Sequence, residues 1–224
     1  MLKKILFYFF LTCSTGLMTS CFDIVEEIDL KSNGSGAIKV TVNLSKSRTK
    51  VSSLMKLDKV DGLKIPSERD IRSEISKITT TLKKTNGISN VHSSLDFTNY
   101  IAVVSCDFRN INALNTFVKT LSAQFKTSLS DYSIYSYDAK SKTLSRTYKY
   151  NSAGQKELNK LKPENQKSLQ NAYFTYIYRF EHTVATQKNS LAKVSSNKKA
   201  VMLKANVLDI VNGKANLSNT ITLN

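Results

Sequence analysis

Apolar and polar residues alternate along most of this chain, and helical spacing interrupts the alternation at a few places. Residues 23–30 and 37–44 read as two strands, the second burying Ile38, Val40, Val42 and Leu44 on one face. Pairing Leu30 with Ile38 sets Ile28 against Val40 and Ile24 against Leu44, with Asp29 beside Lys39 on the outer face. That register needs an odd-length loop and predicts a bulged hairpin. One residue does not fit: Glu26 falls opposite Val42, on the apolar face.

A helix is expected over residues 46–61, with Val51, Leu54 and Met55 inward and Asp61-Gly62 closing it. The next is better marked. Pro66-Ser67 open it, Asp70 completes a pattern like a capping box, and Ile71, Ile75, Ile78 and Leu82 follow on one face before Asn86-Gly87. Asn110 caps a third, which buries Leu114, Phe117, Val118 and Leu121. Residues 152–161 form a short polar helix ahead of Pro163. Residues 88–97 with 100–108, and 132–137 with 143–150, read as hairpins. Strands over 173–184, 200–211 and 216–223 close the chain, with Asn212-Gly213 as a turn. The pattern predicts an α+β fold: a largely antiparallel sheet of several hairpins with three to four helices.

The N-terminus follows a different grammar. Lys3-Lys4 precede an apolar run over residues 5–11, too short to span a bilayer, and small polar residues come next. That three-part order is the one expected of an export signal. The stretch Leu17-Met18-Thr19-Ser20-Cys21 resembles a bacterial lipoprotein lipobox of the Bacteroidota type, with Met18 where an aliphatic residue is usual. The resemblance implies cleavage before Cys21, a lipid on its thiol and acylation, palmitate among the chains, on the new amine. One chain holds a membrane only marginally, whereas two or three hold it firmly. Residues 1–20 are then the signal peptide and 21–224 a single α+β domain, lipid-anchored in the cell envelope at the outer membrane. The leaflet is left open. Asp23, Glu26, Glu27 and Asp29 resemble the acidic surface-export tags of such lipoproteins, and they equally fit the solvent side of a strand. Cys13 leaves with the signal and Cys21 carries lipid, so Cys106 is alone and reads as a small buried hydrophobe.

Composition adds a charge question. The chain has 33 Lys+Arg against 17 Asp+Glu, a formal net charge of +16, of which Lys3 and Lys4 belong to the signal. Residues 139–204 hold fourteen basic and three acidic residues. A basic face toward anionic lipid headgroups or acidic glycan is one reading; the excess of Lys over Arg also fits the codon usage of an AT-rich genome. Tyrosines crowd the same part of the chain. Phe174, Tyr176, Tyr178 and Phe180 share one strand face and are the candidate ligand-facing aromatics, although ordinary sheet core explains them too.

The chain lacks a Gly-x-Ser-x-Gly elbow, a Walker loop and a Gly-x-Gly-x-x-Gly turn, and His92 and His182 stand apart, each in an expected strand. No catalytic residue, metal or cofactor is therefore expected. Nucleic acid is not an expected partner, because an exported protein rarely meets it and the sequence carries no reading motif. The order of elements also resembles LppM-like lipid-binding lipoprotein domains, through the acidic first strand, Asn33-Gly34-Ser35-Gly36, Leu54-Met55, and the closing strands with Asn212-Gly213 and Leu217. That resemblance carries no functional residue across. It implies a small lipid- or glycolipid-binding domain. The expected function is that of a non-catalytic, lipid-anchored envelope protein that binds an envelope lipid or glycolipid, and the alternative is an accessory subunit of an envelope protein complex.

Overall fold

The computed structural model describes residues 22–124 and 133–224, so Cys21 and Tyr132 lie outside the described residues. The chain runs β1 (Asp23–Leu30), β2 (Gly36–Asn43), a 3-10 turn (Ser45–Ser47), α1 (Arg48–Leu54), β3 (Lys59–Val60), β4 (Leu63–Lys64) and α2 (Glu68–Lys83). Next come β5 (Ile88–Asp96), β6 (Ile101–Phe108), α3 (Ile111–Gln124), β7 (Ser133–Asp138), β8 (Thr143–Tyr148), α4 (Ala153–Leu158) and α5 (Pro163–Lys167). It closes with β9 (Tyr173–Phe180), β10 (Val184–Gln187), β11 (Ala192–Val194), β12 (Ala200–Asn206), α6 (Val207–Val211) and β13 (Asn219–Leu223).

The fold is α+β. Seven strands form one sheet in the order β11-β12-β9-β1-β2-β6-β5, and four form a second in the order β10-β13-β8-β7. Neighbours are antiparallel except β1 and β9, which run parallel. One face of the large sheet is covered partly by α2 and α3 and partly by the small sheet, and a shared core fills the space between the layers. Phe108, Leu114, Phe117, Ile78 and Leu82 are fully buried there, each contributing about 1.5–3 kcal/mol relative to exposure. Among the described residues, every strand of the two larger sheets is paired with a neighbour.

Local chemistry explains the best-read elements. Ser67 and Asp70 form a reciprocal capping box at the head of α2, with N–H to side-chain distances of 3.1 and 3.2 Å. Asn110 accepts from Ala113 N at 3.0 Å and starts α3. The first hairpin is shifted by two residues from the predicted register. Ile28 pairs with Ile38, Glu26 with Val40, Ile24 with Val42, and Glu27, rather than Asp29, lies beside Lys39. An even shift keeps every side chain on its face, so alternation alone leaves the choice open. The loop chemistry decides it: Asn33 Oδ1 accepts from Ser35 N at 3.0 Å, and Gly34 takes a φ of 82°. Gly36 begins β2 because a Cβ there would lie 2.0 Å from the Asp29 carbonyl oxygen.

Three expected elements break up. The helix expected over 46–61 is confined to α1, and Asp61-Gly62 is instead the tip of the β3–β4 hairpin, with φ of 49° and 80°. The strand expected over 173–184 stops at Phe180, and the chain crosses to the small sheet as β10, leaving His182 in the bend between them. The strand expected over 200–211 stops at Asn206, whose side chain accepts from Leu208 N at 2.8 Å and caps α6. Asn212-Gly213 therefore ends a helix.

Candidate functional site

Phe174, Tyr176, Tyr178 and Phe180 do share one face of β9, and that face looks inward. Beside it on β1 lie Ile24, Glu26, Ile28 and Leu30, in parallel register. The apparent misfit, Glu26, is the centre of the arrangement. It is 6% exposed, and three donors converge on its Oε1: Tyr135 OH at 2.6 Å, Tyr178 OH at 2.8 Å and Arg146 Nη1 at 3.1 Å. Arg146, 5% exposed on β8, also donates to Tyr178 OH at 2.8 Å. Its guanidinium lies over the rings of Phe174 and Tyr176 at 5.2 Å each, and of Tyr135 at 5.6 Å. Tyr176 and Tyr178 stack at 4.3 Å, and Asn219 donates to Tyr176 OH at 3.1 Å.

This cluster joins the two sheets through a charge pair removed from water. Burial would lower the Arg146 guanidinium, but Glu26 and the surrounding tyrosines outweigh it and keep the arginine charged. Burial, reinforced by Glu26 against the opposing Arg146, holds the Tyr135 and Tyr178 hydroxyls well above the ordinary phenol value. Both phenols stay protonated as donors. The aromatic face that the sequence offers to a ligand is thus filled by Arg146 and closed by β7 and β8. Its chemistry is that of a lock between layers.

The open concavity lies on the other face of the same strands. Two adjoining hollows of about 350 and 500 Å³ share Asp29, Ala37, Asp107 and Arg179. They form a groove at the end of the large sheet where β1 stops and β2 starts. Arg179 reaches Glu27 at 2.8 Å and Asp29 at 3.2 Å, and Lys39 reaches Glu27 at 2.5 Å. Burial alone would raise the Glu27 carboxyl; hydrogen bonds from Lys39 and Arg179 override it and hold the group below the usual carboxylate range. The bond to Glu27 in turn leads the effects that raise Arg179. Asn90 donates to Asp107 at 2.7 Å, and Ser32 donates to Glu181 through its N–H at 2.8 Å and through its hydroxyl. Both signs of charge are presented on a half-wet surface, which suits a polar, hydrogen-bonding ligand.

Cys106 is buried on the inner face of β6, where burial and the neighbouring Asp107 push its thiol up to about 12. His92 lines the groove. Asp23, Glu27 and Asp29 keep some exposure but Glu26 does not, so the acidic run is split between the two faces of β1. The basic run over 139–204 is also divided: Arg146 is in the core, Arg179 is in the groove, and most of the lysines lie elsewhere on the surface. Among the described residues there is no group of three His, Cys, Asp or Glu side chains able to hold a metal, and no helix long and apolar enough to cross a membrane. Sequence reasoning did not reach Arg146, Tyr135 or Arg179 as partners. The one signal was the charged residue on an apolar strand face.

No protein-family model matches the chain, and no curated protein matches it. Among solved structures it is similar to the folded domain of LppM from Mycobacterium tuberculosis, determined by NMR. The TM-score is 0.49 at 8% identity, covering 94% of this chain and 93% of that one.

Proposed function

We propose that this is a non-catalytic, lipid-anchored protein of the bacterial cell envelope that binds a polar envelope ligand, the headgroup of a lipid or glycolipid, in the Arg179 groove. The observation that carries the reading is the course of β1. The strand begins at Asp23, two residues after the cysteine of the lipobox-like stretch, and ends at Leu30, where the groove opens. Over eight residues a strand covers about 25 Å, so an anchor at Cys21 would hold the groove one strand length above the bilayer. Among the described residues the space between the sheets is packed with buried side chains, which favours the polar part of the ligand over its acyl chains.

The anchor and the binding are tested separately. Full-length protein in its host should take up radioactive palmitate, and Cys21→Ala should abolish uptake and leave the precursor uncleaved. Continued labelling of the variant sinks the anchor. For binding, extracted envelope lipids titrated against residues 22–224 should saturate, and Arg179→Ala should weaken them at least tenfold, as expected for loss of a charge-assisted contact. Equal binding by the variant removes the groove from the reading.

A further inference from the structure

The end of the fold opposite the groove is where the chain enters it. The Phe22 carbonyl accepts from Tyr173 N at 2.9 Å, and Asp23 pairs with Asn43 and holds Lys46 at 3.2 Å. Two excursions leave the sheet at this end: residues 44–65, with α1, β3 and β4, and residues 149–172, with α4 and α5. They are far apart in sequence and joined in space. Asp61 accepts from Lys162 N at 2.9 Å and Asn165 Nδ2 at 2.8 Å, and Lys50 bonds Ser168.

Together the two excursions hold eleven Lys and Arg against four Asp and Glu, a net +7, half of the +14 on residues 21–224. One of the four acids, Asp61, is taken up by the backbone N–H of Lys162 and the Asn165 amide, and a second, Glu157, by Lys160 at 2.6 Å. Lys56, Lys59, Lys149, Lys156, Lys162 and Lys167 are exposed. Among them stand two large apolar side chains open to solvent, Leu57 at 50% and Tyr150 at 44%. Lysine is a point charge without the planar fork that shapes a phosphate pocket, so a spread of lysines suits a diffuse layer of anionic groups. An exposed leucine and tyrosine between them suit the boundary of headgroups and acyl chains.

We infer that this lysine-rich end is a docking surface for an anionic phospholipid bilayer. Charge complementarity selects the occupant, and the chain one residue upstream of Phe22 is the cysteine through which a bilayer would be reached. Docking by this end leaves the Arg179 groove facing away from the membrane. The inference deepens the lipid-anchor reading, and its test does not depend on the anchor.

Residues 22–224, without lipid, are sedimented with vesicles of phosphatidylglycerol and phosphatidylethanolamine or of phosphatidylcholine, at an ionic strength of ~0.15 M where surface attraction still reaches about 8 Å. The protein is expected on the anionic vesicles and to leave them as salt rises. Reversing Lys56, Lys59, Lys156 and Lys167 to Glu should lower partition by roughly tenfold or more, because each lysine near an anionic surface contributes to attraction. Reversing Lys31, Lys84, Lys140 and Lys199, which lie away from this end, should leave most of the binding. Thermal melts of both variants check that they fold. Equal loss from the two sets, or no preference for phosphatidylglycerol, overturns the proposal. Vesicle binding with no palmitate on the full-length protein would reject the anchor while leaving the docking surface standing.

Discussion

Glu26 and Glu27 are neighbours on one strand, and each is bound by an arginine from elsewhere in the chain. Glu26 faces the small sheet and meets Arg146 at 3.1 Å, both side chains almost wholly buried; Glu27 faces solvent and meets Arg179 at 2.8 Å, with the arginine 45% exposed. The bond lengths are similar and the consequences are not. Inside, neither charge can return to water, so the pair and its tyrosines act as one unit. Outside, water competes for both partners, so the pair can open and re-form at little cost.

The largest expected effect breaks the inner pair. Arg146→Ala leaves a buried carboxylate without its cation and should cost about 3–5 kcal/mol in urea unfolding. Glu26→Leu combined with Arg146→Met removes both charges and should recover most of that loss; a double variant as unstable as the single one would show that the charges themselves stabilise the fold. Tyr135→Phe deletes one hydrogen bond to the Glu26 carboxylate and should cost about 1.5–3 kcal/mol by the same measurement. On the outer face, Glu27→Ala should change stability by ~0–1 kcal/mol, and a loss as large as that of Tyr135→Phe would erase the contrast between the faces. The outer pair also has a pH signature. Because the Glu27 value is lowered by folding, its contribution is present above the ordinary glutamate value of about 4.3 and fades as pH falls through the folded value. Urea midpoints of the wild type and Glu27→Gln should therefore converge in acid. The smallest effect concerns Cys106, whose thiol is buried and held at about 12. In residues 22–224 it should resist a thiol reagent at neutral pH until urea unfolds the chain, and rapid labelling of the native protein would contradict its placement.

Elements whose signals are local were readable from the sequence. The Ser67–Asp70 box, the Asn110 cap, and the β5–β6 and β7–β8 hairpins depend on residues a few positions apart. The β1–β9 pairing joins Asp23 to Tyr173 across the length of the chain, and no periodicity encodes a partner at that distance. The first hairpin failed for a narrower reason: shifts of two residues are equivalent to the alternation, and only the Asn33-Gly34 turn and the crowded Gly36 separate them. The aromatic face of β9 was legible as a face. Whether it was open or filled depended on Arg146, which sits on a strand of another sheet. Glu26 was the residue at which sequence and core pattern disagreed, and that disagreement located the buried cluster without naming its members. The groove left no trace in the sequence, because its charged residues come from β1, β2, β6 and β9, each of which reads separately as ordinary strand surface.

The position of β1 also determines how the molecule bears load. Its eight residues are paired along their whole length with β2 on one side and β9 on the other. A force applied at Phe22 along the strand runs at right angles to the antiparallel ladder bonds to β2 and strains them together with the slanted bonds to β9, a shearing geometry. An edge strand such as the three-residue β11 can be peeled away one bond at a time. Pulled at Phe22, β1 is loaded in shear against both neighbours at once.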